Sequence, residues 1–458
     1  MWPVPELFST ILFSGFFLCL GNTAGNSIAF AKHVLAASSP DIHKATEFDH
    51  RLISLIAVGI LSIVCLLHYF SSAFGLFLNR LLAYYKIGLL FTVFVAGTIA
   101  RNDPNSGLHD WSQVEKNHSS SDTLSAMIYI LYSYQGWENA NYVAGEIKAD
   151  KPTLQRGGFL AVTLTTILYI IGIVGYFFAC NFATITSPNS DLGMAQYFAS
   201  QVFGGHTIGF KVCVALSATG NLIAVVFTSS KVKQCIARQR IIPFYKFFGD
   251  DDKNFGTPRG ALVLHWVFTV ILIAATPKSA DGYSFVIGLF TYGHLIVGVF
   301  IGLGILFKLK KRMTQFKGLE DWDFKFLTWP LIRRVIATLF VGVNILILVV
   351  AARPHNVGTI ARYWWPTVML CIVSASAAYW FVLWSLQEKR FVSRLMAIDV
   401  KVMHGDSLGV ESEYEAMLKD ARRDGSNRRA IYNVHGRLWK SLKAAGTVAV
   451  DQFYRYLW

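Results

Sequence analysis

Long apolar runs alternate with short polar segments along most of the chain. A helix needs about 20 apolar residues to cross the hydrocarbon core of a bilayer, and about ten of the runs come near this length. They fall at about 7–31, 52–70, 81–100, 124–143, 159–180, 208–230, 261–277, 283–307, 335–351 and 364–386. The pattern predicts an all-α integral membrane protein with about ten transmembrane helices.

Composition supports the same class of protein. The 458 residues are 53% hydrophobic and 15% charged, with a mean hydropathy of +0.43, above the usual range of soluble domains. The net charge of +14 is spread between apolar runs, so we predict a lipid bilayer as partner and no nucleic acid. Cysteines occur singly without metal-ligand spacing, and we predict no metal and no cofactor. Nucleophile elbows and phosphate loops are absent, so no catalytic residue is predicted.

The chain divides into a transmembrane domain at 1–386 and a charged tail at 387–458. Lysines and arginines concentrate in alternate connections, including a basic loop that begins with Lys231 and Lys233. Because basic loops are retained on the cytoplasmic side, this distribution predicts that both termini and the tail are cytoplasmic. The sequon at Asn117 then falls on the outer side.

The fourth run contains a dense polar and aromatic stretch at 132–142. A regular helix that faces lipid would not tolerate it, so we predict a helix break near Gly136. A break frees main-chain groups to bind the charged ends of a zwitterion. The candidate substrate-binding residues here are Tyr132, Ser133, Tyr134, Gln135, Gly136 and Glu138. The alternative interpretation is an aromatic belt at the membrane interface.

Lys86 lies early in the third run, among apolar residues. A lysine buried in a membrane either pairs with an acid or exchanges a proton, which makes Lys86 a candidate proton-coupling group. Arg80 is less than two turns away, so the alternative is a lysine that extends to the cytoplasmic headgroups.

Two further clusters interrupt apolar runs. Asn22, Gly25 and Asn26 in the first run permit close helix packing, and the two asparagines lie one turn apart, which also suits a cavity wall. Thr228 and Ser229 end the sixth run, where their hydroxyls can bond to their own helix or coordinate a cation.

Three segments carry a resemblance to a known family. Residues 132–156 look like its sixth helix and cytoplasmic exit, 227–244 look like its eighth helix and following loop, and 255–261 extend the match into the ninth. The chain resembles the amino acid, polyamine and organocation transporter superfamily. Within it, the sequence is most similar to L-type amino-acid transporters and fungal high-affinity methionine permeases.

The resemblance implies two inverted five-helix repeats that rock around a central site. It implies that Tyr132 is the gating aromatic and that the main chain of 133–136 faces the substrate amino group. It also implies that Lys86 replaces a sodium ion near Thr228 and Ser229. The positions at 22, 25 and 26 would line the cavity from the family's third helix.

The sequence also departs from the family. The first run matches the third helix, so helices one and two are expected to be absent and the first repeat incomplete. Glu138 stands where relatives usually carry asparagine, and it either pairs with Lys86 or only forms hydrogen bonds.

The predicted function is transport of methionine or large neutral amino acids by alternating access, with proton coupling through Lys86. The resemblance implies the plasma membrane. One alternative is a truncated, non-transporting membrane protein or a partner of a full-length permease. Another is a polyamine or choline permease of the same superfamily.

Overall fold

A computed structural model describes residues 8–38, 48–102, 120–143, 151–181, 190–204, 206–239, 241–252, 254–278, 282–307, 330–352 and 363–382. Within these ranges every regular element is a helix. The helices are α1 (Phe8–Cys19), α2 (Thr23–Ser38), α3 (His50–Phe70), α4 (Ser72–Ala100), α5 (Ser120–Tyr134), α6 (Asn139–Tyr142), α7 (Lys151–Ala179), α8 (Ser190–Phe203), α9 (Ile208–Arg238), α10 (Tyr245–Gly249), α11 (Arg259–Ala275), α12 (Gly282–Phe307), α13 (Pro330–Ala351) and α14 (Trp364–Val382).

The predicted all-α membrane architecture is confirmed. In the described part of the chain, 8 helices are long and apolar enough to cross a bilayer, with α1 and α2 together forming the first. Helix α11 is a shorter apolar helix of 17 residues, and the run predicted at 124–143 is divided between α5 and α6. The tail at 387–458 and the sequon at Asn117 lie outside the described residues.

Two helices differ from the predicted runs. The first run is interrupted at Leu20–Asn22, between α1 and α2. Helix α9 continues through Lys231 and Lys233 to Arg238, so these lysines belong to a helix, and the prediction that the sixth run ends at residue 230 is wrong. Lys233 is only 2% exposed and is therefore buried among helices instead of lying in a basic loop.

The described residues form two compact units. The larger takes its described residues from 17–233 and 251–370, and its main apolar core joins α2, α3, α9, α11 and α12. The buried residues of that core are Ala24, Ile28, Ala31, Ala57, Leu61, Val64, Cys65, Leu222, Ile223, Val226, Leu262, Ile273 and Val286. Small alanines at its centre let α2 and α3 approach closely, as expected where lipid provides no hydrophobic drive.

The smaller unit takes its described residues from 8–16, 234–250 and 371–382. The hydroxyl of Tyr379 donates to the Ile241 carbonyl, and the Arg238 Nε donates to the Gly249 carbonyl at 2.8 Å. Gly15 lies against Ser376, where a Cβ would stand 1.9 Å from the serine Oγ. Glycine therefore permits this contact between α1 and α14.

Large apolar side chains cover the outer faces of several helices. Exposed examples on α4 and α7 are Phe74, Phe77, Leu81, Tyr84, Phe91, Phe159, Leu160 and Ile170. A soluble protein rarely exposes a contiguous surface of this kind, whereas lipid acyl chains solvate it.

The matched segment at 255–261 is fixed by a single arginine. The Arg259 guanidinium lies 4.3 Å from the ring centroid of Tyr69 and 4.2 Å from that of Phe255, and it donates to Asp252 Oδ2 at 2.8 Å. Desolvation raises the pKa of the Asp252 carboxyl, but the backbone N–H groups of Asn254 and Phe255 and the guanidinium outweigh it, so the pKa lies below its usual value. The arginine thus ties the end of α3 to the start of α11.

Candidate functional site

The predicted break near Gly136 is present. Helix α5 ends at Tyr134, a turn covers residues 135–138, and α6 begins at Asn139. Gly136 has a φ of 121°, a backbone angle that residues with a Cβ rarely adopt. Glycine therefore allows the chain to turn here. Trp137 is exposed, but Tyr132 and Tyr142 line a cavity, which argues against an aromatic belt as the whole explanation.

Glu138 fixes the turn from inside. Its Oε2 accepts the backbone N–H of Gly136 at 3.0 Å, and its Oε1 lies 3.6 Å from His294 Nε2 on α12. The side chain is buried, with 8% of the residue exposed. Of the two sequence alternatives for Glu138, hydrogen bonding is therefore the one observed among the described residues. The spacing of His294 from the other histidines follows no motif, so only the fold brings it to the site.

The interrupted first run forms the opposite wall. Leu20, Gly21 and Asn22 line the cavity, and Asn22 Oδ1 accepts the Tyr132 hydroxyl. Asn26 Nδ2 donates to the same oxygen at 3.2 Å. Gly25 lies beside this tyrosine, where a Cβ would stand 3.5 Å from the Tyr132 hydroxyl oxygen, an ordinary van der Waals contact. The three predicted residues of this run are thus assembled around Tyr132.

A cavity of about 380 Å³ lies between these walls and α9, a size typical of small-molecule sites. The predicted residues that line it are Asn22, Tyr132, Ser133, Gln135, Gly136, Glu138 and Ser229. The predicted residues outside its lining are Gly25, Asn26, Tyr134, Lys86 and Thr228. Lining residues that the sequence reasoning missed include Phe17, Leu20, Asn139, Tyr142, Tyr169, Asn221, Val225 and Phe290.

Lys86 reaches the cavity through Asn221. Its ammonium donates to Asn221 Oδ1, and Asn221 lines the cavity from α9. Thr228 instead bonds to its own helix, with its hydroxyl 3.1 Å from the Ala224 carbonyl. The described partner of Lys86 is thus seven residues before Thr228. Asn221 lies two helical turns before Thr228, on the same face of α9, and this spacing could have indicated it from the sequence.

The side of the cavity near the break contains carbonyl and carboxyl oxygens that can accept hydrogen bonds. The C-terminus of α5 carries partial negative charge, and its last carbonyls lack helical partners. The Ser133 carbonyl accepts the Tyr169 hydroxyl at 2.7 Å, and Glu138 adds a buried carboxyl group. Tyr134 packs edge-on against Tyr169 with centroids 5.4 Å apart, which holds the end of α5 in place. This side can stabilise a small cation such as an α-ammonium group.

The family described as "Amino acid permease" matches residues 1–376, and the chain therefore belongs to the amino acid permease family. The high-affinity methionine permease of Saccharomyces cerevisiae is 26% identical over 396 residues, which are 83% of this chain and 65% of that protein. The low-affinity methionine permease of the same yeast is 23% identical over 404 residues, or 86% of this chain and 70% of that protein.

The human large neutral amino acids transporter small subunit 2 is 25% identical over 180 residues, which are 39% of this chain and 32% of that protein. These relatives confirm the resemblance to methionine permeases and L-type transporters. The chain spans 65% of the length of the high-affinity methionine permease that it matches.

Proposed function

We propose that the protein transports methionine or large neutral amino acids across a membrane by alternating access. The observation that carries this proposal is the turn at Gly136, which interrupts a transmembrane run beside a cavity of about 380 Å³. Interrupted helices expose main-chain groups at the substrate sites of many transporters. Membership of the amino acid permease family and similarity to methionine permeases support the same function.

The cavity suggests how an amino acid would lie. The α-ammonium would bind the C-terminal carbonyls of α5 and the Glu138 carboxyl, which can accept its hydrogen bonds. The apolar side chain would contact Phe17, Leu20 and Phe290 on the cavity wall. Tyr132 would close over the substrate, since breaking its bond to Asn22 frees the ring to move.

A second candidate substrate is an organic cation such as a polyamine or choline. The buried Glu138 carboxyl group favours such a cation, because it can bind a small ammonium group whether or not the ligand also carries a carboxylate. The apolar residues that share the cavity favour an amino acid with an apolar side chain. Competition during uptake decides between the two.

Uptake by cells that lack their own methionine permeases tests the function. We expect the full 458-residue chain, expressed with a tag, to accumulate labelled L-methionine above empty-vector cells, and Tyr132→Ala at equal surface abundance to lose this uptake. Excess unlabelled leucine should compete, whereas spermidine and choline should not. Protein at the cell surface without uptake would contradict transport by this chain and favour the partner role. We also propose that the protein lies in the plasma membrane with both termini in the cytoplasm. Surface labelling of intact cells tests both points.

Lys86 is the proposed coupling residue. Replacing Lys86 with alanine removes the ammonium that binds Asn221, so we expect methionine uptake driven by an inward proton gradient to fall about tenfold. Arg80→Ala is the matched control, because Arg80 is an exposed basic residue of the same helix. Normal gradient-driven uptake by the Lys86 variant would remove the coupling role and leave its bond to Asn221 as a structural contact.

A further inference from the structure

Lys233 is a buried lysine outside the substrate cavity. It lies on α9 and is 2% exposed. Its ammonium donates to the Phe17 carbonyl at 2.9 Å and lies 3.2 Å from His265 Nδ1. A lysine at such a position inside a membrane bundle is costly unless it has a function or well-placed partners.

His265 extends the contact to a second residue. It is fully buried on α11, and its Nε2 lies 3.1 Å from the Thr23 hydroxyl. With Lys233 as donor to Nδ1, the imidazole is neutral and carries its proton on Nε2, which donates to Thr23. The pair therefore bridges the Phe17 carbonyl and the first residue of α2.

These two contacts lie on either side of the interruption between α1 and α2. Phe17 precedes it and Thr23 follows it, while Leu20, Gly21 and Asn22 in between line the cavity. Glycine and asparagine have weak helical preference, so contacts at the two ends must hold the segment in place. The Lys233–His265 pair supplies such contacts from outside the cavity.

The surroundings of the pair offer no compensating carboxylate among the described ion pairs. The titratable groups that face Lys233 are the Cys19 thiol on α1, the Cys65 thiol on α3 and His265 on α11. On its own helix, Lys231 lies two residues away, 3.9 Å from Asp251. Among the described residues, an ammonium at position 233 thus donates to two neutral acceptors, the Phe17 carbonyl and His265.

We propose that Lys233 and His265 form a proton-binding pair that controls the rigidity of segment 18–22, in which Leu20, Gly21 and Asn22 line the cavity. The two nitrogens are too close to carry two positive charges, so the pair holds one excess proton. When the proton leaves to water, the amine keeps its acceptors but loses charge assistance, and its hydrogen bonds weaken. Deprotonation should therefore loosen the segment that carries Asn22. The consequence for transport rests on the proposed function, whereas the proton site does not.

Two measurements on the full chain in lipid nanodiscs test the pair without any substrate. The first is the 13Cε resonance of lysine in selectively labelled protein, assigned to Lys233 by its loss in Lys233→Met. We expect it to titrate between about pH 5 and pH 9, while exposed lysines stay charged across that range. A Lys233 resonance that stays constant over the whole range would overturn the proton site.

The second measurement is amide hydrogen exchange of residues 18–23, corrected for intrinsic rates. In the parent chain we expect exchange to rise about tenfold as the pair loses its proton, which is the scale set by weakened charge-assisted bonds. Lys233→Met should exchange at the faster rate both at about pH 5 and at about pH 9, the ends of the range used in the first measurement. Lys231→Met is the matched control, and it should behave like the parent.

His265→Gln covers the case in which Lys233→Met does not fold. A glutamine amide can accept from Lys233 and donate to Thr23, as the neutral imidazole does, but it cannot titrate. We expect this variant to remain folded and to shift the pH at which exchange rises. Unchanged exchange in both variants at both pH values would refute the coupling. Failure to bind methionine in the parent would count against the proposed function alone, since neither readout uses substrate.

Discussion

Replacing Gly97 with alanine should prevent α4 and α7 from packing as they do. A Cβ at position 97 would stand 2.1 Å from the Gly175 carbonyl oxygen, and one at Gly175 would stand 2.7 Å from the Val93 carbonyl. Both obstacles are main-chain atoms, so rotation of a side chain cannot relieve the overlap. The two helices must separate along this crossing, which loses contacts on both sides.

We expect Gly97→Ala to lower the free energy of unfolding by about 3 kcal/mol, the upper end for overpacking against backbone. Thermal unfolding of the purified chain in detergent measures it, together with the fraction that elutes as a single species. Gly88→Ala is the matched control, because it lies on the same helix and its Cβ would meet no atom within 4 Å. Alanine is the better helix former there, so the control should be neutral or stabilising. Equal stability of the two variants would contradict the close crossing.

The sequence predicted the membrane class and the main break because both depend on local physics. Apolar length sets a transmembrane helix, and a stretch such as 132–142 cannot remain a regular helix facing lipid. Glycine was the expected turn residue because it has no Cβ and can adopt a positive φ, and Gly136 has a φ of 121°. These features could be predicted without knowledge of any neighbour.

The interruption at Leu20–Asn22 could not be predicted in that way. Residues 21–27 are small and polar, a composition that serves equally for close packing of an intact helix. The break is stabilised from elsewhere, by Lys233 and His265, which lie more than 200 residues further along the chain. Interactions of such sequence separation leave no local pattern.

Counts of basic residues misled in one place for a related reason. Lys231 and Lys233 were both assigned to one basic loop. In the structure Lys231 pairs with Asp251, whereas Lys233 is buried against Phe17 and His265. On a helix, residues two apart face different sides, so their environments differ. The rule for basic loops therefore applies only after the helix end is known, and α9 continues to Arg238.

Glu138 shows what the resemblance alone could not decide. The resemblance predicts asparagine at this position in relatives, and it leaves open whether the acid pairs with Lys86 or only forms hydrogen bonds. The fold brings His294 from α12 to within 3.6 Å of the carboxyl, and the Gly136 amide bonds to it at 3.0 Å. Both contacts depend on the turn itself, because only the broken chain directs the Gly136 amide toward the side chain.

Gly136→Ala should weaken the proposed binding of methionine while the protein stays folded. A Cβ at this position would meet only Asn139 Nδ2, at 3.5 Å, so space is not the obstacle. The obstacle is the φ of 121°, which costs an L-residue about 1–3 kcal/mol. The turn would relax toward ordinary angles, which moves the Gly136 amide from Glu138 and displaces the carbonyls at the end of α5.

If binding requires the turn to return to this φ, the cost corresponds to a loss of about 5- to 150-fold in affinity, measured as binding of labelled methionine to the purified chain. Gly157→Ala is the matched control, since Gly157 lies in α7 with no atom within 4 Å of its Cβ and ordinary helical angles. Its binding should equal that of the parent. Because the alanine at 136 removes no polar group, a loss confined to that variant isolates main-chain geometry as the determinant of binding. Parental affinity in Gly136→Ala would mean that the turn does not contact the substrate.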